Sequence, residues 1–276
     1  MSGGARTVAI ATLASALLGA SSVAADPSIR QAPDWAFGSP VGEAGVLGLA
    51  SASLLFWFLP QRYNTRWKPL GVVPRAHLGS ASDLTGSIIG VTLQAANGYA
   101  FEAAYLDDRR VEDPYQRALR APLIDGEATL LTTGVFTAIK RISGRCRPRA
   151  FIDGRCLQTR SAHEGFPSGH TGPIAAIAAT HLALALRTEH GPVEYRYAPF
   201  VFAELGAVGT AVLRQISGAH DWSDVIVGWA VGHAIGLVVS FAHPMEEVTV
   251  RDDATGASTA ASVRARSRVI TWSGRF

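Results

Sequence analysis

The amino-acid sequence predicts an all-α fold, a bundle of five or six core helices with its chemistry in loops and helix ends at one end. Three observations carry that expectation. Apolar residues gather in separate stretches long enough for helices, at Ala44–Leu59, Leu84–Tyr105, Leu123–Ile139 and about 171–187, 198–213 and 223–242. The segments between them are punctuated by Gly, Pro and charge. Little in the chain alternates with the period of two that a half-buried strand needs, and no internal repeat is visible.

The elements follow in order. Residues 1–25 read as an export signal: Arg6 supplies the positive start, Val8 to Leu18 is apolar, and Ser21 to Ala25 ends in small residues before Asp26-Pro27. Cleavage after Ala25 is expected, and an uncleaved apolar anchor is the alternative. Residues 26–43 read as a linker or irregular arm, rich in proline and poor in periodic apolar positions. Ala44–Leu59 is uncharged and closed by Pro60. Residues 60–83 are polar, basic and mostly loop. Leu84–Tyr105 embeds Gln94, Asn97 and Glu102 in an apolar helix, and 106–120 is charged and faces solvent. Leu123–Ile139 carries Asp125 and Glu127 near its start. Residues 141–167 form a long connection, and connections that long are usually functional. Three apolar helices follow, the first two joined by the polar turn Arg187–Tyr197. The helical domain is thus 44–245, with a polar tail at 246–276.

Composition narrows the class. A chain of 276 residues with 48% apolar content can build one large core. A formal charge of +3, without a long lysine run, argues against a nucleic-acid partner. Mean hydropathy of +0.18 is high for a soluble enzyme and low for a chain made mostly of membrane spans. A span needs about 20 apolar residues. Most of the runs are shorter or hold an ionisable group such as Glu204 or His233. The expectation is a compact bundle in the cell envelope, resting on the membrane, with 223–242 the best candidate for insertion. Cys146 and Cys156, ten positions apart in an exported chain, suggest a disulfide, with two free thiols as the alternative.

Three segments carry the chemistry. Lys140, Arg141, Arg145, Arg147 and Arg149 crowd the end of an apolar helix. Guanidinium groups fork onto phosphate oxygens, and an ammonium offers a point charge. Alone, such a run is usually a solvated face or a complement to the helix dipole. Pro167-Ser168-Gly169-His170 stands just before another apolar helix, where free backbone N–H groups attract an anion. Ser168 adds a hydroxyl, Gly169 allows close approach, and His170 can move a proton near neutral pH. An ordinary cap with an exposed histidine is the alternative. Arg214 to Asp224 joins two apolar helices and places His220 and Asp224 one helical turn apart. A carboxylate there would orient His220, whose free nitrogen could attack phosphorus. His163, His170, His181 and His190 form no HExxH or Cys/His cluster, so a metal-free mechanism is expected. His181 and His233 read as buried structural residues.

Together the segments become specific. Lys140, six residues, then Arg147-Pro148; Pro-Ser-Gly-His at 167–170; and Arg214, five residues, His220, three residues, Asp224 stand in order. The set resembles the type 2 phosphatidic acid phosphatase family, which shares its site with class A bacterial acid phosphatases and vanadium-dependent haloperoxidases. Gly228-Trp229 and Gly232 also look family-like, whereas residues 1–120 add little. The resemblance implies that Lys140, Arg147 and Arg214 hold phosphate oxygens, helped by Ser168 and the Gly169 amide. It implies that His220 attacks phosphorus to form a phosphohistidine, Asp224 orients it, and His170 protonates the leaving oxygen. The family usually has serine before the third-motif arginine, and this chain has Leu213.

The expected activity is therefore an extracytoplasmic, metal-independent phosphatase for phosphomonoesters or pyrophosphates, with lipid phosphates among the candidates. No cofactor is expected, and vanadate should bind the phosphate site. The alternatives are a vanadium-dependent haloperoxidase-like enzyme and a non-catalytic protein that binds phosphate or lipid head groups.

Overall fold

The computed structural model describes residues 31–259, apart from 65–66, 70–74, 109–110, 112, 189–192, 248–249 and 252–257. The signal reading of 1–25 and most of the tail fall outside the described residues.

Local signals decide where each apolar run becomes helix. Helix α1 spans Pro40–Ala52 and continues as a tighter 3-10 stretch, Ser53–Phe58. It starts earlier than the apolar run because Ser39 caps it, accepting the Gly42 N–H at 3.0 Å, and proline suits the first helical position. The expected irregular arm is therefore ordered from residue 31. Strand β1 (Gln31–Pro33) pairs antiparallel with β2 (Met245–Glu247), which ties the two ends of the domain together. Another short antiparallel ladder joins β3 (Val250–Arg251) to β4 (Ser258–Thr259) in the expected tail.

The segment expected to be loop up to residue 83 contains α2 (Gly79–Thr85), and Gly86 separates it from α3 (Ile88–Asp108). The short α4 (Pro114–Ala118) precedes α5 (Arg120–Ser143), which stops where Gly144 turns left-handed at φ +53°. After α6 (Pro148–Ile152) come α7 (Thr171–Arg187), α8 (Val193–Ile216) and α9 (Trp222–Ala242). The all-α expectation holds, with α3, α5, α7, α8 and α9 as the long helices.

Helix α7 is the hub, packing on α9, α8, α5 and α3. Its sequence explains this. Alanines and other apolar residues surround it on all faces, and nearly every position is buried. Helix α9 approaches it along a stripe of Gly228, Gly232 and Gly236, spaced one turn apart. A Cβ at Gly232 would lie 2.3 Å from the Gly172 carbonyl oxygen, and one at Gly236 would lie 2.2 Å from that of Ala176. Backbone meets backbone here, so no side chain can move aside.

Large apolar side chains remain exposed on the outside, including Leu55, Phe58, Phe202, Leu205, Val238 and Phe241. Among the described residues, two stretches, Pro40–Phe58 and Trp222–Ala242, are long and apolar enough to cross a membrane. The second coincides with the insertion candidate read from sequence.

Gly232→Ala tests the seam. The variant should lose about 1–3 kcal/mol of stability through overpacking, seen as a lower midpoint in thermal unfolding. Glycine to alanine at Gly126, which has open space around its Cβ direction, is the matched control.

Candidate active site

The first segment leaves α5 at its C-terminal end. Lys140 lies in the last turns, and the chain then runs through Arg145 to Arg147, the residue that opens α6. The long connection is fixed in several places. A Cys146–Cys156 disulfide closes it, with Cα atoms 5.8 Å apart. The Arg147 N–H donates to the Ala162 carbonyl at 2.7 Å, and Gly165 N–H to that of Arg145 at 2.9 Å. Backbone bonds from Arg62 and Asn64 to the carbonyls of Arg141 and Gly144 strap the end of α5 from outside.

The second segment forms the turn into α7. Ser168 is fully buried, and its N–H donates to the Asp224 carbonyl at 3.0 Å, which joins the second segment to the third. Its hydroxyl lies 3.0 Å from that of Thr171. His170 occupies the cap position without using its side chain as a cap, so the ring is left for the site, 29% exposed. A Cβ at Gly169 would lie 2.6 Å from Lys140 Nζ. Glycine is what lets the ammonium approach this backbone.

The third segment departs from the sequence expectation. His220 is fully buried, but its Nδ1 lies 2.6 Å from the Gly165 carbonyl and 3.7 Å from Asp224 Oδ2. The direct partner is therefore Gly165, not Asp224. Asp224 sits at the third position of α9, where a carboxylate reaches back to the helix start. It accepts the Asp221 N–H at 2.7 Å and pairs with Arg145 at 2.8 Å. A carbonyl only accepts, so His220 Nδ1 carries the proton and Nε2 the lone pair. Nε2 has no hydrogen-bond partner among the described residues.

Arg214 is buried at the end of α8. Its Nη1 bonds Ser82 Oγ at 3.2 Å and pairs with Asp83, while Nε and Nη2 have no partner among the described residues. The hydroxyl expected just before Arg214 is absent at Leu213, and α2 brings one through Ser82. Asp83 also lies 3.9 Å from His170 Nε2. A cavity of about 380 Å³, lined in part by Asp83, Arg147, Arg149 and Arg214, opens beside this edge. A smaller one of about 120 Å³ includes Lys140 and Gly169.

The electrostatics show that the separate segments meet. Burial, then Arg147, pushes Lys140 down to about 8. Burial, then Arg214 and Lys140, pushes His170 down to about 3. Burial, then Arg147, Arg214 and Lys140, holds His220 well below the usual imidazole range. Burial lifts the Asp224 carboxyl to about 7 although Arg145 opposes it. Like charges this close are stabilised by an anion among them.

The structure thus brings together Lys140, Arg147, Ser168, Gly169, His170, Arg214, His220 and Asp224. Sequence reasoning missed Asp83, Ser82 and the Gly165 carbonyl. The first two come from a segment without periodicity, and a backbone carbonyl leaves no mark in composition. Arg145, seen only as part of a basic run, stacks 3.4 Å over Trp67 while it holds Asp224. His181 is buried against Asp125 at 3.3 Å, as expected. His233 is partly exposed and pairs with Glu204 at 3.1 Å. The expectation of a buried His233 fails because its partner is the partly exposed Glu204 of α8, which keeps the ring at the edge of the bundle.

Fold and site define a class: an all-α domain that gathers cations and an oriented imidazole from three segments to grip an anion. Comparison supplies the family. The model of the PAP2 superfamily matches residues 123–247, the stretch that carries all three segments of the site. A lipid A 1-phosphatase from Rhizobium etli is 35% identical over 126 residues, covering 42% of this chain and 50% of that protein. The chain thus matches about half the length of this relative. No solved structure matches the chain.

Two expectations follow from the electrostatics. Lys140 is charged below about 8 and loses its charge as pH rises through that value. Binding of a phosphate analogue, measured by calorimetry, should weaken above about pH 8, and Lys140→Arg should flatten that limb. Asp83→Asn should tighten inorganic phosphate binding roughly twofold to fivefold, because the anion no longer competes with an exposed carboxylate for Arg214.

Proposed function

We propose that the chain is an extracytoplasmic, metal-independent phosphatase for phosphomonoesters or pyrophosphates, with lipid phosphates as its preferred class. The observation that carries the reading is His220: buried, with Nδ1–H held by the Gly165 carbonyl and Nε2 unbonded among Lys140, Arg147 and Arg214. A low-pKa imidazole with a fixed tautomer is a competent nucleophile at neutral pH.

The steps follow from this arrangement. Lys140, Arg147 and Arg214 hold the non-bridging oxygens, with Ser168 and the Gly169 amide. His220 Nε2 bonds to phosphorus as the bond to the leaving oxygen breaks, and His170 gives that oxygen a proton. Water then attacks the phosphohistidine, His170 takes its proton, and inorganic phosphate leaves. Phosphoryl transfer needs charge stabilisation and in-line placement most of all, and the three cations supply the first. Asp224 acts at one remove, holding Arg145 and the start of α9.

Lipid phosphates are favoured by the Rhizobium etli relative, a lipid A 1-phosphatase, and by the apolar side chains exposed on the helices. Membrane association is part of the proposal for the same reasons. The extracytoplasmic location is supported by the signal-like start and by a disulfide, which persists in oxidising compartments.

The test is phosphate release without added metal from a panel of lipid phosphates, isoprenyl pyrophosphates and soluble esters. Turnover should be faster on the lipids and inhibited by vanadate. His220→Ala should lose at least about 10³-fold in kcat. Retained turnover in that variant would sink the phosphohistidine route.

A further inference from the structure

A second group of ionisable side chains lies outside the phosphate site. Glu43 comes from the first turn of α1, Glu127 from the early turns of α5, and His243 from just beyond α9. Glu127 precedes Lys140 by thirteen positions on one helix, about 20 Å along its axis. His243 follows α9 at the end opposite Asp224. The group therefore occupies the other end of the bundle.

We propose that Glu43, Glu127 and His243 form a binding site for one divalent first-row transition ion, of the Zn²⁺ or Mn²⁺ class. All three residues are buried, and one ligand atom from each lies within 4.8 Å of the others. His243 Nδ1 lies 3.0 Å from the Val239 carbonyl. That carbonyl accepts only, so Nδ1 bears a proton. In the neutral ring Nε2 is then a lone pair, and it faces Glu43 Oε2 at 3.1 Å and Glu127 Oε2 at 3.3 Å. Three acceptors converge on one point in a buried place, an arrangement that repels unless a cation stands among them.

Two further observations point to a ligand. The fully buried Glu127 has no hydrogen-bond partner among the described residues outside the cluster itself, where the Glu43 carboxyl lies against it, and Glu43 Oε1 has none either. The separations of 3.1 and 3.3 Å are near those of donors about 2.0–2.2 Å from a common tetrahedral centre, roughly 3.3–3.6 Å. The supports are those of a metal site. Val239 fixes the imidazole through its far nitrogen, and the Ala36 N–H holds Glu43 Oε2 at 2.8 Å. An imidazole with two carboxylates suits zinc, manganese or ferrous ion better than magnesium or calcium, which prefer all-oxygen sets. Two carboxylate charges balance a divalent ion. Bound there, the ion clasps α1, α5 and the end of α9 where β1 meets β2. It takes no part in phosphate chemistry at the far end.

The competing arrangement has a proton in place of the ion. Burial and the Glu43 carboxylate push the Glu127 carboxyl up to about 8, so without a cation it would hold that proton. The experiment separates the two. The full chain is stripped with chelator, dialysed against Zn²⁺, Mn²⁺ or Co²⁺, desalted and analysed for metal by mass spectrometry. One ion per chain, a thermal midpoint raised by several degrees on reloading, and visible d–d bands with Co²⁺ are expected. Glu127→Gln, close to the wild type in shape, should bind at least tenfold more weakly while its stripped form melts near the stripped wild type. Wild-type protein that holds less than about 0.2 ion per chain, with a midpoint unmoved by metal or chelator, would overturn the site. So would equal binding in Glu127→Gln. If that variant does not fold, the wild-type stoichiometry and the Co²⁺ spectrum decide. Phosphate release is not a readout here, so failure of the metal site leaves the phosphohistidine reading untouched.

Discussion

Three cations held out of water and close to one another are the constraint on which the rest of the structure depends. Burial lowers the readiness of Lys140, Arg147 and Arg214 to carry charge; Arg147 and Arg214 add to the effect on Lys140, and Arg147 adds to that on Arg214. Such a cluster separates unless the backbone forbids it. Here the backbone does so from several sides. A disulfide and two backbone hydrogen bonds fix the loop that carries Arg147, and helix ends present Lys140 and Arg214. Asp83 sits at the solvent edge and offsets Arg214 only in part, since its carboxylate is 65% exposed and screened by water.

The glycine seam is what makes this convergence possible. The Ser168–His170 turn precedes α7, and the His220–Asp224 segment opens α9. The two meet only because α9 lies against α7 at backbone distance. Gly228 belongs to the same stripe, and a Cβ there would lie 3.0 Å from the Ser168 carbonyl oxygen. Packing and chemistry are therefore one problem in this protein: the small residues that close the core also set the spacing of the site.

Much of this was legible in the sequence, for a physical reason. Helices of this length with all-round or one-sided apolar faces declare themselves by periodicity, and the cations and histidines of the candidate site declare themselves by their order and spacing. What was not legible acts through the backbone or across long separations. The Gly165 carbonyl that holds His220 has no side-chain signature. Asp83 and Ser82 lie in a polar segment with no pattern, yet α2 delivers them to Arg214. The Asp224 expectation erred for a related reason. Helical spacing puts Asp224 beside His220, but a carboxylate at the third position of a helix is drawn to the free N–H groups of its own first turn. Glu43, Glu127 and His243 are spread over two hundred positions, and only the folded chain places them together.

The proton inventory completes the picture of the proposed mechanism. In the free site His170 is held near 3, so at neutral pH it carries no proton for a leaving group. The causes of that depression, after burial, are Arg214, Lys140 and Arg147, the same groups that grip phosphate. In the proposed mechanism an arriving phosphate monoester brings negative charge to those cations and offsets their share of the depression, so that His170 is more basic with substrate bound. A monoanionic ester can also bring the proton with it. His220, with its Nδ1–H fixed by the Gly165 carbonyl, keeps its Nε2 lone pair free until that nitrogen bonds to phosphorus. Burial and one cluster of charge together hold both imidazoles unprotonated in the free site, and in the proposed mechanism the arriving anion lets one of them act as the acid.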